Sequence, residues 1–180
     1  MISGKTDRPF SWATVPKPVP GRGNEDLFFT LKAKAGIAAA VLDGMGGAPD
    51  GDRASRLAAA LIYHNLNMMD FRSTPEEIAA NLQLFLQISD RHLKTMAETG
   101  HLHRASGTTA VIAVMIPPKS GQNLESDVIV SWAGDSRAYL YRPEGTLDCL
   151  TVDNDAGLIL KGLAMIKFRM ARTQDRKSVV

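Results

Sequence analysis

Cysteine is nearly absent from this chain. Cys149 stands alone, so no internal disulfide can brace the fold, which fits a reducing compartment. Net charge is nearly absent as well: 21 basic and 19 acidic residues leave +2, too little to argue for nucleic acid or a membrane as partner. No apolar run reaches the roughly 18 residues that would mark a bilayer span. Residues Met1 to Arg8 lack the apolar segment of a secretory leader, so cytoplasm is the expected location. Internal repeats, low-complexity tracts and complete Walker or Rossmann motifs are also missing. His101 and His103 have the spacing of half a zinc site, but no second ligand pair follows them. A loop leading into the next strand is the plainer reading.

What is present describes an ordinary folded chain. The 180 residues are 44% hydrophobic and 22% charged, enough for a single domain over residues 1–180 with a real core. Prolines at 9, 16, 18 and 20 allow an edge strand over Phe10–Val15 but bar a central one. Leu27–Leu31 and Gly36–Leu42 flank a short basic turn, which predicts a hairpin with Glu25, Asp26 and Asp43 at one end. From Asp52 the period becomes helical, with Leu57, Ala58, Leu61, Ile62, Leu66 and Met69 recurring. Thr74-Pro75-Glu76-Glu77 reads as a capping box opening a second helix, whose stripe is Ile78, Leu82, Phe85, Leu86, Leu93 and Met96 and which Gly100 stops. Strands are predicted over Thr108–Ile116, Asp127–Ala133, Arg137–Arg142 and Leu147–Thr151, with a polar loop from Pro117 to Ser126. Strands, then two long helices, then strands again argue for α+β and an antiparallel sheet covered by helices. The tail, 156–180, reads as a basic amphipathic helix carrying Ile159, Leu163, Ile166 and Met170 on one face.

The stretch with most chemical content is Val41-Leu42-Asp43-Gly44-Met45-Gly46-Gly47. An apolar strand ends in a carboxylate, and glycines then let the backbone turn tightly and approach a ligand. A carboxylate beside a backbone carbonyl suits a hard divalent cation. Taken alone, Asp-Gly reads equally as a turn after a buried strand.

Four further stretches also fall at strand ends: Asn24-Glu25-Asp26, Ser106-Gly107-Thr108-Thr109-Ala110, Gly134-Asp135-Ser136-Arg137-Ala138-Tyr139 and Leu150-Thr151-Val152-Asp153-Asn154. In this order around a helix pair, the five together resemble the type 2C, metal-dependent protein serine/threonine phosphatases over residues 10–155. The resemblance implies an αββα sandwich of antiparallel sheets flanked by helices, and two Mn²⁺ or Mg²⁺ ions at one end of it. It matches Asp43 to a bridging metal ligand, Gly44 to a carbonyl ligand, Glu25 and Asp26 to the pair holding metal-bound waters, and Asp135 to a weaker third metal. The implied activity is hydrolysis of phosphoprotein monoesters by water activated between two cations, which also offset charge on the phosphoryl oxygens.

Two departures qualify that expectation. The family's phosphate-binding Arg falls at Gly21, with Arg22 one residue later. Two aspartates that the family carries further on have no counterpart beyond Asp155, the tail does not resemble the family, and Asn154 stands where His is usual. The chain is therefore expected to be incomplete at the C-terminal end of the fold, to bind at most one ion tightly and to self-associate through uncovered sheet surfaces. Two other readings compete with catalysis, a non-catalytic phosphatase-like binding or regulatory module and a plain assembly module.

Overall fold

The computed structural model describes residues 2–5, 11–14, 24–45, 49–118, 125–153 and 162–169. Its centre is a five-stranded, wholly antiparallel sheet. The strands are β3 (Asp26–Ala33), β4 (Gly36–Asp43), β5 (Ala110–Ile116), β6 (Glu125–Ala133) and β9 (Gly162–Arg169), adjacent in that order. Two helices, α1 (Gly51–Met68) and α2 (Pro75–Glu98), pack on each other and on one face of this sheet. Two small sheets accompany it. One pairs β1 (Ile2–Lys5) with β2 (Ser11–Thr14), and the other pairs β7 (Tyr139–Tyr141) with β8 (Leu147–Cys149). Among the described residues no helix is long and apolar enough to cross a membrane.

Alternation along the strands sorts the side chains. Ala38, Ala40 and Leu42 of β4 point to the helices, as do Ile112 and Val114 of β5 and Ile129 of β6. They meet Ala58, Ala59, Ile62 and Leu66 of α1 and Ile78, Leu82, Phe85 and Leu86 of α2. The small residues of β4 and α1 let that helix lie close to the sheet, so alanines fill the contact while Leu57 and Leu61 are only half-buried. The capping box forms as expected: the Glu77 N–H donates to Thr74 Oγ1 at 3.2 Å, and the Thr74 N–H donates to Glu77 Oε2 at 2.9 Å.

The opposite face is covered unevenly. Over β5 and β6, Val111, Val130 and Trp132 are buried under Ala138 and Leu150. The Trp132 Nε1–H donates to the Val152 carbonyl at 2.8 Å, and Leu150 N–H donates to the Ala138 carbonyl at 2.8 Å. Over β4 the cover stops, and Val41 is 53% exposed. A cavity of about 290 Å³ opens there between Ala39, Val41, Val111 and Ala113 on the sheet and Ser136–Tyr139 above it.

One expectation fails. The tail was expected to be helical over 156–180, but Gly162–Arg169 is strand β9, with Met165 opposite Ile129 on β6. Leu163, Met165 and their neighbours satisfy either period, and an unpaired β6 would leave a row of backbone donors and acceptors without partners. Pairing overrides helical spacing. The rest of that tail, including Leu160, lies outside the described residues. The predicted strands are otherwise found with shifted ends: Thr108 contributes only an isolated bridge to Gly44, β6 begins two residues early at Glu125, and β7 and β8 are shorter than expected. The strand predicted over Phe10–Val15 appears as β2, paired only with β1, an element the composition did not signal.

Candidate metal centre

Asp26 opens β3 and Asp43 closes β4, and the register sets them directly opposite each other. Both point to the face away from the helices, since Leu27 and Leu42, next to them, face the core. The start of β3 is set locally, because the Asp26 N–H donates to Asn24 Oδ1 at 3.1 Å. Pairing continues one step past the strands, where Gly44 N–H donates to the Glu25 carbonyl at 3.1 Å. The three acids therefore reach one sheet end because of strand register, which the hairpin enforces.

Backbone packing holds the arrangement. A Cβ on Gly44 would stand 2.3 Å from the Gly51 carbonyl oxygen, so β4 and the first turn of α1 touch main chain to main chain. A Cβ on Gly51 would lie 3.3 Å from the Glu25 carboxyl, which places that carboxylate against the N-terminus of α1, where the helix dipole favours negative charge. Asp50, in front of the helix, adopts the left-handed φ of 64°. Its carboxylate ties down neighbouring chain, accepting from Arg53 Nη1 and from the His103 N–H, each at 3.0 Å. Ser106 Oγ donates to the Pro49 carbonyl across the same junction. His103 Nδ1 accepts from the Ala105 N–H at 3.2 Å, which ties the imidazole into its own loop.

The electrostatics are those of crowded acids. The Asp43 carboxyl is held above the usual carboxylate range, first by partial desolvation, then by the charge of Asp26 and its hydrogen bond, and then by the charges of Asp135 and Glu25. Asp135 arrives from the turn after β6. Three carboxylates, those of Asp26, Asp135 and Glu25, lie close enough to raise the proton affinity of a fourth, Asp43, and acids crowded in this way suit a divalent ion of oxygen preference. The Gly44 carbonyl lies at the same strand end, next to Asp43 in the chain, and a backbone oxygen there suits the same ion. Among the described residues, however, no three His, Cys, Asp or Glu side chains converge into a cage on their own. The fit is to an ion held by one or two carboxylates, a carbonyl and waters.

Not every sequence candidate joins this group. Arg22, Gly46, Gly47, Asn154 and Asp155 lie outside the described residues. Asp153 is turned away to Arg137, accepting from Nε at 2.9 Å and Nη2 at 2.6 Å, and that guanidinium holds its carboxyl below the usual range. Sequence reasoning gave no chemical role to Thr108, Thr109 and Ser136. The Asp43 carbonyl accepts from Thr108 Oγ1 at 3.0 Å and from the Thr109 N–H at 2.8 Å, while Asp43 N–H donates to Thr109 Oγ1 at 3.2 Å. Their one advance signal was position, hydroxyl residues where a strand begins beside a predicted ligand.

Residues 20–159 match the family model for protein phosphatase 2C. Over 140 residues the chain is 31% identical to the serine/threonine phosphatase stp of Listeria welshimeri, covering 78% of this chain and 52% of that protein. The chain thus spans about half the length of the curated relatives it matches. Among solved structures, the serine/threonine phosphatase PstP/Ppp of Mycobacterium tuberculosis superposes with a TM-score of 0.61 at 21% identity, over 84% of this chain and 69% of that one. The catalytic domain of PstP in complex with two manganese ions gives 0.60 at 22% identity, over 86% and 70%. A family match across most of the chain, agreeing with the acidic strand ends and the helix-covered antiparallel sheet, assigns this protein to the protein phosphatase 2C family.

Proposed function

We propose that this chain is a single phosphatase-like unit that serves metal-dependent hydrolysis of phosphoserine and phosphothreonine in proteins. The observation that carries the reading is Asp26 facing Asp43 at the sheet end, with the Asp43 carboxyl pushed up by its acidic neighbours. Asp43 and the Gly44 carbonyl would hold Mn²⁺ or Mg²⁺, with Glu25 and Asp26 orienting waters and Asp135 contributing at the rim. When bound, such ions lower the pKa of water and offset charge on a phosphoryl group. The chain's own contribution is to position those oxygens and to present them on the face away from the helices. Arg22 is assigned to the phosphate, which a guanidinium can grip bidentately.

Asp153 is paired with Arg137, so lending its carboxylate to a second ion would cost that ion pair. Calorimetric titration of Mn²⁺ should therefore show one tight ion in the parent and strong weakening in Asp43→Asn. Turnover of a simple aryl phosphate should fall well below about 1 per second. Equal affinity in parent and variant would remove the metal assignment. Two tight ions with enzyme-like turnover would overturn the one-ion reading. The pairing of Asp153 with Arg137 favours, as the second reading, a module that binds phosphoproteins without hydrolysing them. Phosphopeptide binding with no turnover at saturating Mn²⁺ would select it.

A further inference from the structure

Asp43 and Asp135 reach the acidic cluster on strands that do not touch. Asp43 ends β4 and Asp135 follows β6, while β5 lies between them. No ladder hydrogen bond can set the distance between the two carboxylates. At this end of the sheet the link is made by side chains. Thr109, the residue before β5, accepts the Asp43 N–H on Oγ1 at 3.2 Å, and the same oxygen lies 2.6 Å from Ser136 Oγ. Ser136 directly follows Asp135.

We propose that Thr109 and Ser136 form a positioning pair, a hydroxyl latch that fixes Asp43 and Asp135 relative to each other and so sets the affinity of the divalent site. The proposal rests on the metal reading above and adds residues that contact no ion themselves. Threonine suits the post on two counts. Its hydroxyl can accept from Asp43 and share a hydrogen with Ser136 at once. Its methyl fills the space beneath the turn that carries Asp135: at Gly134, where φ is +96°, a Cβ would come within 2.8 Å of Thr109 Cγ2. The turn therefore rests on Thr109 at both its backbone and its Ser136 hydroxyl. Ligand placement within a fraction of an ångström is what such supporting hydrogen bonds supply.

Four variants and two readouts test this. Thr109→Val keeps the shape and removes the hydroxyl, Thr109→Ser keeps the hydroxyl and removes the methyl, Ser136→Ala cuts the latch from the other side, and the double variant Thr109→Val/Ser136→Ala closes a thermodynamic cycle. Calorimetry should give Mn²⁺ affinity about tenfold weaker in Thr109→Val and in Ser136→Ala, the loss of one short, part-buried hydrogen bond in a polar network. Thr109→Ser, which loses the methyl and keeps the hydroxyl, should weaken binding clearly less than Thr109→Val, and the double variant should be no worse than the worse single variant. The second readout needs no metal. Ser136→Ala should speed hydrogen exchange at the Asp43 amide several-fold, although no contact between Ser136 and Asp43 is involved. Should the parent bind no Mn²⁺, the metal reading fails, and the exchange measurement still decides the latch. Unchanged exchange in Ser136→Ala, losses that add in the double variant, or Thr109→Ser as weak as Thr109→Val would each overturn the proposal.

Discussion

The two faces of the five-stranded sheet are built to different ends. The helix face is mostly apolar from β3 to β6, with Leu42, Ile112, Val114 and Ile129 fully buried against α1 and α2 and Ser131 buried among them. Among the described residues, the other face carries an acidic pair at one end of β3 and β4, an exposed Val41 beside it, and a closed patch around Trp132. The same strands supply both, because successive residues point to opposite sides. Burial on one side anchors the backbone firmly enough for mutually repelling carboxylates to be held together on the other. The difference teaches that stability and ligand chemistry here reside on opposite faces and should respond separately to mutation.

The largest contrast should come from truncating one side chain on each face. Leu82→Ala, beneath the helix layer, should cost about 2–5 kcal/mol from lost burial and a residual cavity. Val41→Ala should stay within about 0.5 kcal/mol, as for a surface change. Chemical denaturation of both variants measures the gap, and similar losses would break the two-face description. Gly44→Ala should come next. Its new methyl would strike the Gly51 carbonyl, an overpacking cost of about 1–3 kcal/mol that also separates Glu25 from Asp43. A melt and a Mn²⁺ titration together should show both effects, and a variant that binds Mn²⁺ normally would contradict the close approach. Thr74→Ala removes the capping hydroxyl from α2 and should cost about 1 kcal/mol with Mn²⁺ affinity unchanged. Any change in metal affinity would show that the helix layer and the site are coupled.

The smallest effect is the most diagnostic in sign. Asp43 binds a proton more tightly in the fold than in the open chain, so its contribution is most favourable below the ordinary carboxylate value of 3.8 and is lost as pH rises through its raised folded value. Metal-free Asp43→Asn should therefore melt slightly above the parent at neutral pH, and the difference should shrink as pH falls toward that ordinary value. With Mn²⁺ added at neutral pH the order should reverse, because only the parent gains a ligand for the ion. A variant less stable than the parent at neutral pH without metal would show that the acidic cluster is not self-repelling.

Much of this was readable in the chain before folding. The capping box at Thr74, the helix stripe of Ile78, Leu82, Phe85 and Leu86, and the hairpin that brings Glu25 and Asp26 to Asp43 all depend on near neighbours or simple periods. The tail shows the limit: Leu163 to Phe168 fits two periods, and only the bare edge of β6 chose the strand. Asp153 shows another limit, because nothing local reveals that Arg137, 16 positions earlier, takes its carboxylate. The sequence by itself determined which residues could carry charge to a strand end and which way each strand turned. Tertiary structure alone decided which of those charges meet, for the Thr109–Ser136 latch and the Gly44–Gly51 contact join segments distant along the chain. Local pattern governs hydrogen bonds a few residues apart, whereas distances between strand ends are set by everything packed between them.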